Sequence, residues 1–435
     1  VARVVVVGGG FGGLAASVRL AKLGHDVTLL ERSPALGGAL TEVTRDGYAW
    51  DAGPAWTLLP AVVRDLFRKS GRPLERELDL VPLDAVREHR FEDGSRVAVE
   101  VGRAAQLAAF DALGPGLGAR WLDHVASYAD DWEVLRRGYL ENPWDPAALP
   151  RELAARLDSR ESLRRRLRRS LPDQRLRLVA GHPFVADGHD LRNVPAWAGV
   201  TAYLEQRLGA WTVVGGMSRL RDALAARMET RGVTVLTATE ARDLVVEAGH
   251  VVAVRTPSGD LAADVVVCAI DPRRLPALAA YVERTMPAIP AVVVHVGLDG
   301  PAPALPEGTG EVVLHGDPML VVRPGGRAPD GGAALTVHGR GRLSEDVLVA
   351  LARHGIDVRR QVVTRVDRSP RDQVEEWGGS PLGVLWQGRA TVRRRLGPRT
   401  PVGGVYAAGA HATPGSGLPW VGLSAALVAA EVGPA

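Results

Sequence analysis

Residues 3–40 read RVVVVGGGFGGLAASVRLAKLGHDVTLLERSPALGGAL, which sets a strand, a glycine turn, a helix, a second strand and an acid in one unbroken run. The apolar stretch 4–7 leads into Gly8-Gly9-Gly10-Phe11-Gly12-Gly13. Gly8 permits the tight turn, Gly10 lets the backbone approach a pyrophosphate, and Gly13 allows close helix–strand packing. The helix N-terminus offers unpaired N–H groups and the positive end of its dipole to phosphates. Glu31 follows about 20 residues on, where an acid accepts hydrogen bonds from a ribose 2′-OH. The order of parts predicts a dinucleotide site, with a glycine-rich core turn as the plainer alternative.

A chain of 435 residues predicts two or three domains. Its composition is that of a globular protein, and no apolar stretch is long enough to span a bilayer. The first strand begins almost at Val1, so no signal peptide is expected and the protein reads as cytoplasmic. A single cysteine, Cys268, excludes an intrachain disulfide and a cysteine zinc site. No metal site is expected. The net charge is only +3, and no zinc finger, helix-turn-helix or RNA-recognition pattern is present, so no nucleic-acid partner is expected.

Along the chain, EHRFEDGSRVAVEV (88–101) reads as a hairpin turning at Asp93-Gly94. Residues 151–180 look helical, and residues 197–232 carry two helices broken at Gly215-Gly216. Residues 232–271 change to short strands, 290–300 begins another β region, and 319–339 reads as two strands around a Gly/Pro loop. Residues 344–378 are expected to be helical. The end, 403–432, is again strand, glycine loop and helix. A strand–glycine–helix unit at each end predicts a discontinuous nucleotide domain, 1–70 with 210–275 and 398–435. Residues 71–209 with 276–397 then form an inserted substrate domain.

Three features favour FAD over NAD. A second glycine pair, Gly37-Gly38, follows Arg32; Gly53-Pro54 follows Trp50-Asp51-Ala52; and Gly409-Ala410 ends the last strand. The second glycine pair suits an elongated cofactor lying along the protein, the Gly53-Pro54 turn could line an isoalloxazine ring, and the helix N-terminus after Gly409-Ala410 could face the flavin or the phosphates. With these motifs in this order, the chain resembles the FAD-dependent amine oxidase superfamily, and within it the bacterial-type phytoene desaturases (carotenoid oxidoreductases). The local matches lie at 181–224, 266–272 and 412–427. The resemblance implies an α/β fold of the two-dinucleotide-binding-domain flavoprotein type, with a Rossmann-like FAD domain and an inserted α+β substrate domain. It implies that Gly8, Gly10, Phe11, Gly12 and Gly13 hold the FAD pyrophosphate and Glu31 the ribose. Arg32, Gly37 and Gly38 would lie along the cofactor, Gly53 and Pro54 near the flavin, and Ala241 at the adenine. Gly409, Ala410, Gly417, Leu418 and Pro419 would border the ring. Two positions depart from the family pattern. Ala39 stands where an Arg is usual, and the loop reads Ala412-Thr413-Pro414-Gly415 with its histidine moved to His411.

The resemblance implies an apolar polyene or isoprenoid-like small molecule, dehydrogenated or redox-isomerised; the alternatives are an amine oxidase and a lipid escort without turnover. No compact acid–base constellation is visible, so no general base is assigned. His411 is the candidate polar group near the ring, with a loop cap as the plainer role. Asp51 reads as an anchor for its turn, Asp271 as a cap before Pro272, and Cys268 as a buried small hydrophobe. Trp211 and Trp420 are candidates for lining the substrate path. RELAARLDSRESLRRRLRRSL (151–171) reads as a basic amphipathic helix, a candidate for peripheral membrane contact, or else a solvated helix face.

Overall fold

The computed structural model describes residues 1–435 apart from Trp144 and Ala304. Its first layer is a five-stranded parallel sheet. The strands lie in the order Val405–Ala407, Val265–Cys268, Arg3–Val7, Asp26–Leu30 and Thr234–Leu236. Arg3–Val7 is buried beyond its first residue, as a central parallel strand covered on both faces must be. The helix Phe11–Lys22 packs on this sheet and against the C-terminal helix Leu418–Val432. Leu14, Val18, Ala425 and Val428 meet in that seam. The first and last segments of the chain thus share one core.

The second large sheet has seven strands, ordered Val362–Arg368, Val292–Leu298, Ala333–Arg340, Met319–Pro324, Val312–Leu314, Ala85–Arg90 and Arg96–Glu100. Its two faces differ. Leu320, Val322, Leu335 and Val337 point to one side and pack on Leu348 and Leu351 of the helix Val347–Arg353. The register sets Val321 opposite His338, Arg323 opposite Thr336 and Met319 opposite Arg340, so these residues share the other side. The helices Gln174–Ala186 and Val200–Leu208 supply residues to the cavity on that side.

The hairpin at 88–101 is present, with Gly94 at φ 82° in its turn. Two expectations are corrected. Residues 344–378 are not helical throughout, because the strand Val362–Arg368 runs between two short helices and pairs with Val292–Leu298. Residues 151–171 are not one helix. They form Arg151–Leu157 and Leu163–Ser170, the second started by Ser162, whose hydroxyl accepts from the Arg165 N–H. Leu153, Leu157, Leu163, Leu167 and Leu171 are each no more than 2 % exposed and pack inward with Trp121 and Tyr139. Burial of each stabilises by roughly 1.5–3 kcal/mol, so turning all five toward a bilayer would cost on the order of 10 kcal/mol. The apolar face of this segment belongs to the protein's own core. Among the described residues, no helix is long and apolar enough to cross a membrane.

Candidate active site

One cavity of about 880 Å³ runs between the two sheets. Its first end is made of backbone. Gly10, at the N-terminus of the helix Phe11–Lys22, has open space where a side chain would project. A Cβ on Gly12 would lie 2.7 Å from the Gly409 Cα, so the first and last glycine turns touch there. A Cβ on Gly13 would lie 1.8 Å from the Gly8 carbonyl oxygen, which only glycine allows. The second glycine pair closes on the first: the Gly37 N–H donates to the Gly9 carbonyl at 2.8 Å. Glu31, just beyond its strand, accepts from the Gly9 and Ser33 N–H groups, both at 2.7 Å.

Of the residues singled out in the sequence, Gly8, Gly10, Phe11, Gly12, Glu31, Arg32, Gly37, Gly38, Gly53 and Pro54 line this cavity. So do Gly409, Ala410, His411, Gly417, Leu418, Pro419 and Trp420. Gly13 lies behind them as a packing residue. Arg32 is tied down, its Nη2 donating to the carbonyls of Glu375 and Glu376 at the end of the helix Pro370–Trp377. Two positions are corrected. Ala241 is 8 % exposed and packs in the core beside Leu30 and Leu244 rather than on the cavity wall. Trp211 lies in a strand paired with Leu80–Pro82, its indole N–H donating to the Leu208 carbonyl and the Arg64 guanidinium 4.9 Å above its ring. It stands outside the cavity.

The candidate polar residues near the cradle are structural in their contacts. The His411 Nε2–H donates to the Ser380 carbonyl at 3.0 Å, and Nδ1 lies 3.7 Å from Asp271. Burial lowers the pKa of His411, with Asp271 opposing. Asp271 caps the short helix Pro272–Arg274 and pairs with Arg273. Asp51 accepts from the Met217 and Ser218 N–H groups and so anchors the start of the helix Ser218–Thr230; burial raises its pKa. Cys268 is buried, and its thiol is pushed up to about 12.

Beyond the cradle the cavity has two walls of opposite character. One is aromatic and apolar: Trp197 meets Trp386 edge-on at 5.6 Å and Tyr139 at 6.1 Å, with Leu135, Leu140 and Trp420 alongside. The other is charged, and sequence reasoning missed it. Arg87 makes a two-pronged ion pair with Glu205, at 2.5 and 3.1 Å, and its Nε lies 3.4 Å from Glu311. Glu311 also faces His182 at 3.3 Å and Arg323 at 3.2 Å. Burial pushes Glu311 upward, but the His182 hydrogen bond and the Arg323 and Arg87 charges outweigh it and hold its carboxyl well below the usual range. Burial keeps His182 and His338 on the neutral side. The Arg323 Nη1 reaches the Gly53 carbonyl at 3.3 Å and joins this wall to the cradle.

Residues 11–433 match the sequence profile of the flavin containing amine oxidoreductases. The chain is 28% identical to a 4,4'-diapolycopene oxygenase of Methylomonas, over 98% of this chain and 97% of that one. It is 32% identical to a neurosporene-forming phytoene desaturase of Cereibacter sphaeroides, over 60% of this chain and 51% of that enzyme. The chain thus matches about half of that desaturase and nearly all of the oxygenase. Its fold resembles that of putrescine oxidase, with a TM-score of 0.69 at 18% identity over 99% of this chain and 98% of that one. Cyclohexylamine oxidase from Brevibacterium oxydans gives 0.67 at 17% identity over 99% of each chain.

Proposed function

We propose that this chain, which belongs to the flavin containing amine oxidoreductase family, uses FAD to remove hydrogen from carbon–carbon bonds of an apolar polyene or isoprenoid-like substrate. Desaturation and redox isomerisation both fit, in the setting of natural-product tailoring. The observation that carries this reading is the continuity of one cavity from the glycine cradle to a lobe walled by Trp197, Trp386 and Trp420. The diapolycopene oxygenase and phytoene desaturase likenesses support the same substrate class.

The cradle fits FAD on its own geometry. Gly10 leaves space for a pyrophosphate at a helix start, and Gly12 brings the last glycine turn against the first. Glu31 would hold the ribose hydroxyls, Gly37 and Gly38 the stretch beyond, and Gly53, Pro54, Gly409 and Leu418 the ring. When bound, FAD supplies the two-electron acceptor for hydride. The aromatic wall would position the apolar body and exclude water. His411 would fix the loop beside the ring, since its Nε2–H is spent on Ser380.

The purified protein should carry the visible absorbance of oxidised flavin. Added anaerobically, a polyene should bleach it while simple amines leave it unchanged. Bleaching by amines alone would replace this reading with amine oxidation. A colourless protein that ignores added FAD would replace it with a lipid escort.

A further inference from the structure

The charged wall makes one demand that an apolar hydrocarbon does not meet. Asp187 ends the helix Gln174–Ala186, where the helix dipole is negative and a carboxylate is least welcome. It faces the cavity, and among the described residues nothing hydrogen-bonds or ion-pairs with it. The other two acids of the wall are fully engaged, Glu205 by Arg87 and Glu311 by Arg87, Arg323 and His182. Arg340 lines the same wall. Arg340 spends Nε on the Ala186 carbonyl and Nη2 on the Ile289 carbonyl, which leaves Nη1 without a hydrogen bond. The buried Nε2 of His338 has no partner. Arg340 and Arg323 act on the Asp187 carboxyl through their charge, with Glu311 opposing them.

Asp187 is half-buried and open to the cavity, so an apolar body filling the cavity would strip its water and leave the carboxyl unpaired, at about 1–3 kcal/mol. A local rule broken without compensation inside the protein points to a compensating ligand. The required group must both donate, to Asp187, and accept, from Arg340. An aldehyde accepts but cannot donate. A carboxylate meets Asp187 as a like charge, and an ammonium meets Arg340 and Arg323. A hydroxyl does both. Resting on the apolar-substrate reading above, we propose that the substrate carries a hydroxyl group on its apolar body. Asp187 accepts that hydroxyl's proton in a hydrogen bond, while the Arg340 Nη1–H donates to its oxygen. The hydroxyl is an anchor, and the aromatic wall holds the rest of the molecule.

Four polyenes with one body and different ends test this: retinol, retinal, retinoic acid and the hydrocarbon axerophtene. Each is titrated into the flavin-loaded protein, and quenching of its tryptophan fluorescence is read. Retinol should bind about tenfold more tightly than axerophtene, the difference of one charge-assisted hydrogen bond. Asp187→Asn keeps the shape and should remove most of that preference. Asp187→Leu should reverse the order in favour of the hydrocarbon. Equal binding of retinol and axerophtene to the unaltered protein overturns the proposal and leaves the apolar-substrate reading intact. So does a fall that is equal for all four ligands in Asp187→Leu. Failure of all four to bind overturns both.

Discussion

The two ends of the cavity are built on opposite principles. The cradle is made by leaving side chains out: Gly12 and Gly13 bring backbone where any Cβ would collide, and Gly10 keeps open the space a ligand would fill. The charged wall is made by putting side chains in, with Arg87, Glu205, Glu311 and Arg323 taken out of bulk water and held in mutual pairs. A cradle of this kind tolerates many ligands that share a phosphate, since backbone N–H groups read charge and not shape. A wall of fixed charges is selective, because each unpaired group rejects what does not answer it.

The comparison can be broken, most severely by acid. The charged end is also the histidine end, with His182, His189 and His338 on its walls and only His411 near the cradle. Burial holds His124, His189 and His315 near 4, below their ordinary 6.5. As pH falls from 6.5 toward 4 the unfolded chain takes protons that the folded one refuses, so stability is full above 6.5 and drains away across that window. Shifts of this size amount to on the order of 3 kcal/mol each. Asp187 works the other way. Burial pushes it up to about 6, so the folded chain takes that proton first, and it offsets part of the loss. Thermal melting followed by circular dichroism should show Tm dropping steadily from pH 6.5 to 4; a flat profile would mean that His124, His189 and His315 are open to solvent.

Next in size is Arg87→Met, which strands Glu205 and weakens the hold on Glu311. Breaking a buried pair from one side costs about 3–5 kcal/mol, read as a lower denaturation midpoint, and loss of flavin is expected only where the chain itself melts. Gly13→Ala should cost less stability, about 1–3 kcal/mol by overpacking against the Gly8 carbonyl. It should nevertheless lose flavin absorbance before unfolding. If the two variants exchanged these signatures, the division of labour between the ends would be wrong. Smallest is Trp211→Phe. With Trp211 outside the cavity, polyene binding should stay within about twofold, and stability should shift by about 0.5 kcal/mol or less. Trp420→Ala, by contrast, should weaken polyene binding several-fold.

The cradle was legible because glycine leaves a mark no other residue leaves. Gly8, Gly10 and Gly13 before a helix, and Glu31 after the next strand, state a geometry in their spacing. The charged wall was illegible for an equally physical reason. MLVVRP and ALTVHGR alternate as strands with one wet face do, so Arg323, His338 and Arg340 read as solvent-facing. Nothing local shows that helices from 174–208 enclose that face. The leucines of 151–171 misled in the same way, since amphipathic spacing says that a face is buried without saying against what. Ala241 packs into the core beside Leu30 and Leu244 and off the cavity lining, a placement that motif order does not register.

The touching of Gly12 and Gly409 also has a temporal side. A ribosome releases the first glycine turn almost four hundred residues before the second, so the nascent chain holds half a nucleotide cradle over that whole interval. The cradle is complete only when the helix Leu418–Val432 docks on the helix Phe11–Lys22. Damage at the Gly409 turn should be felt at a turn formed almost four hundred residues earlier.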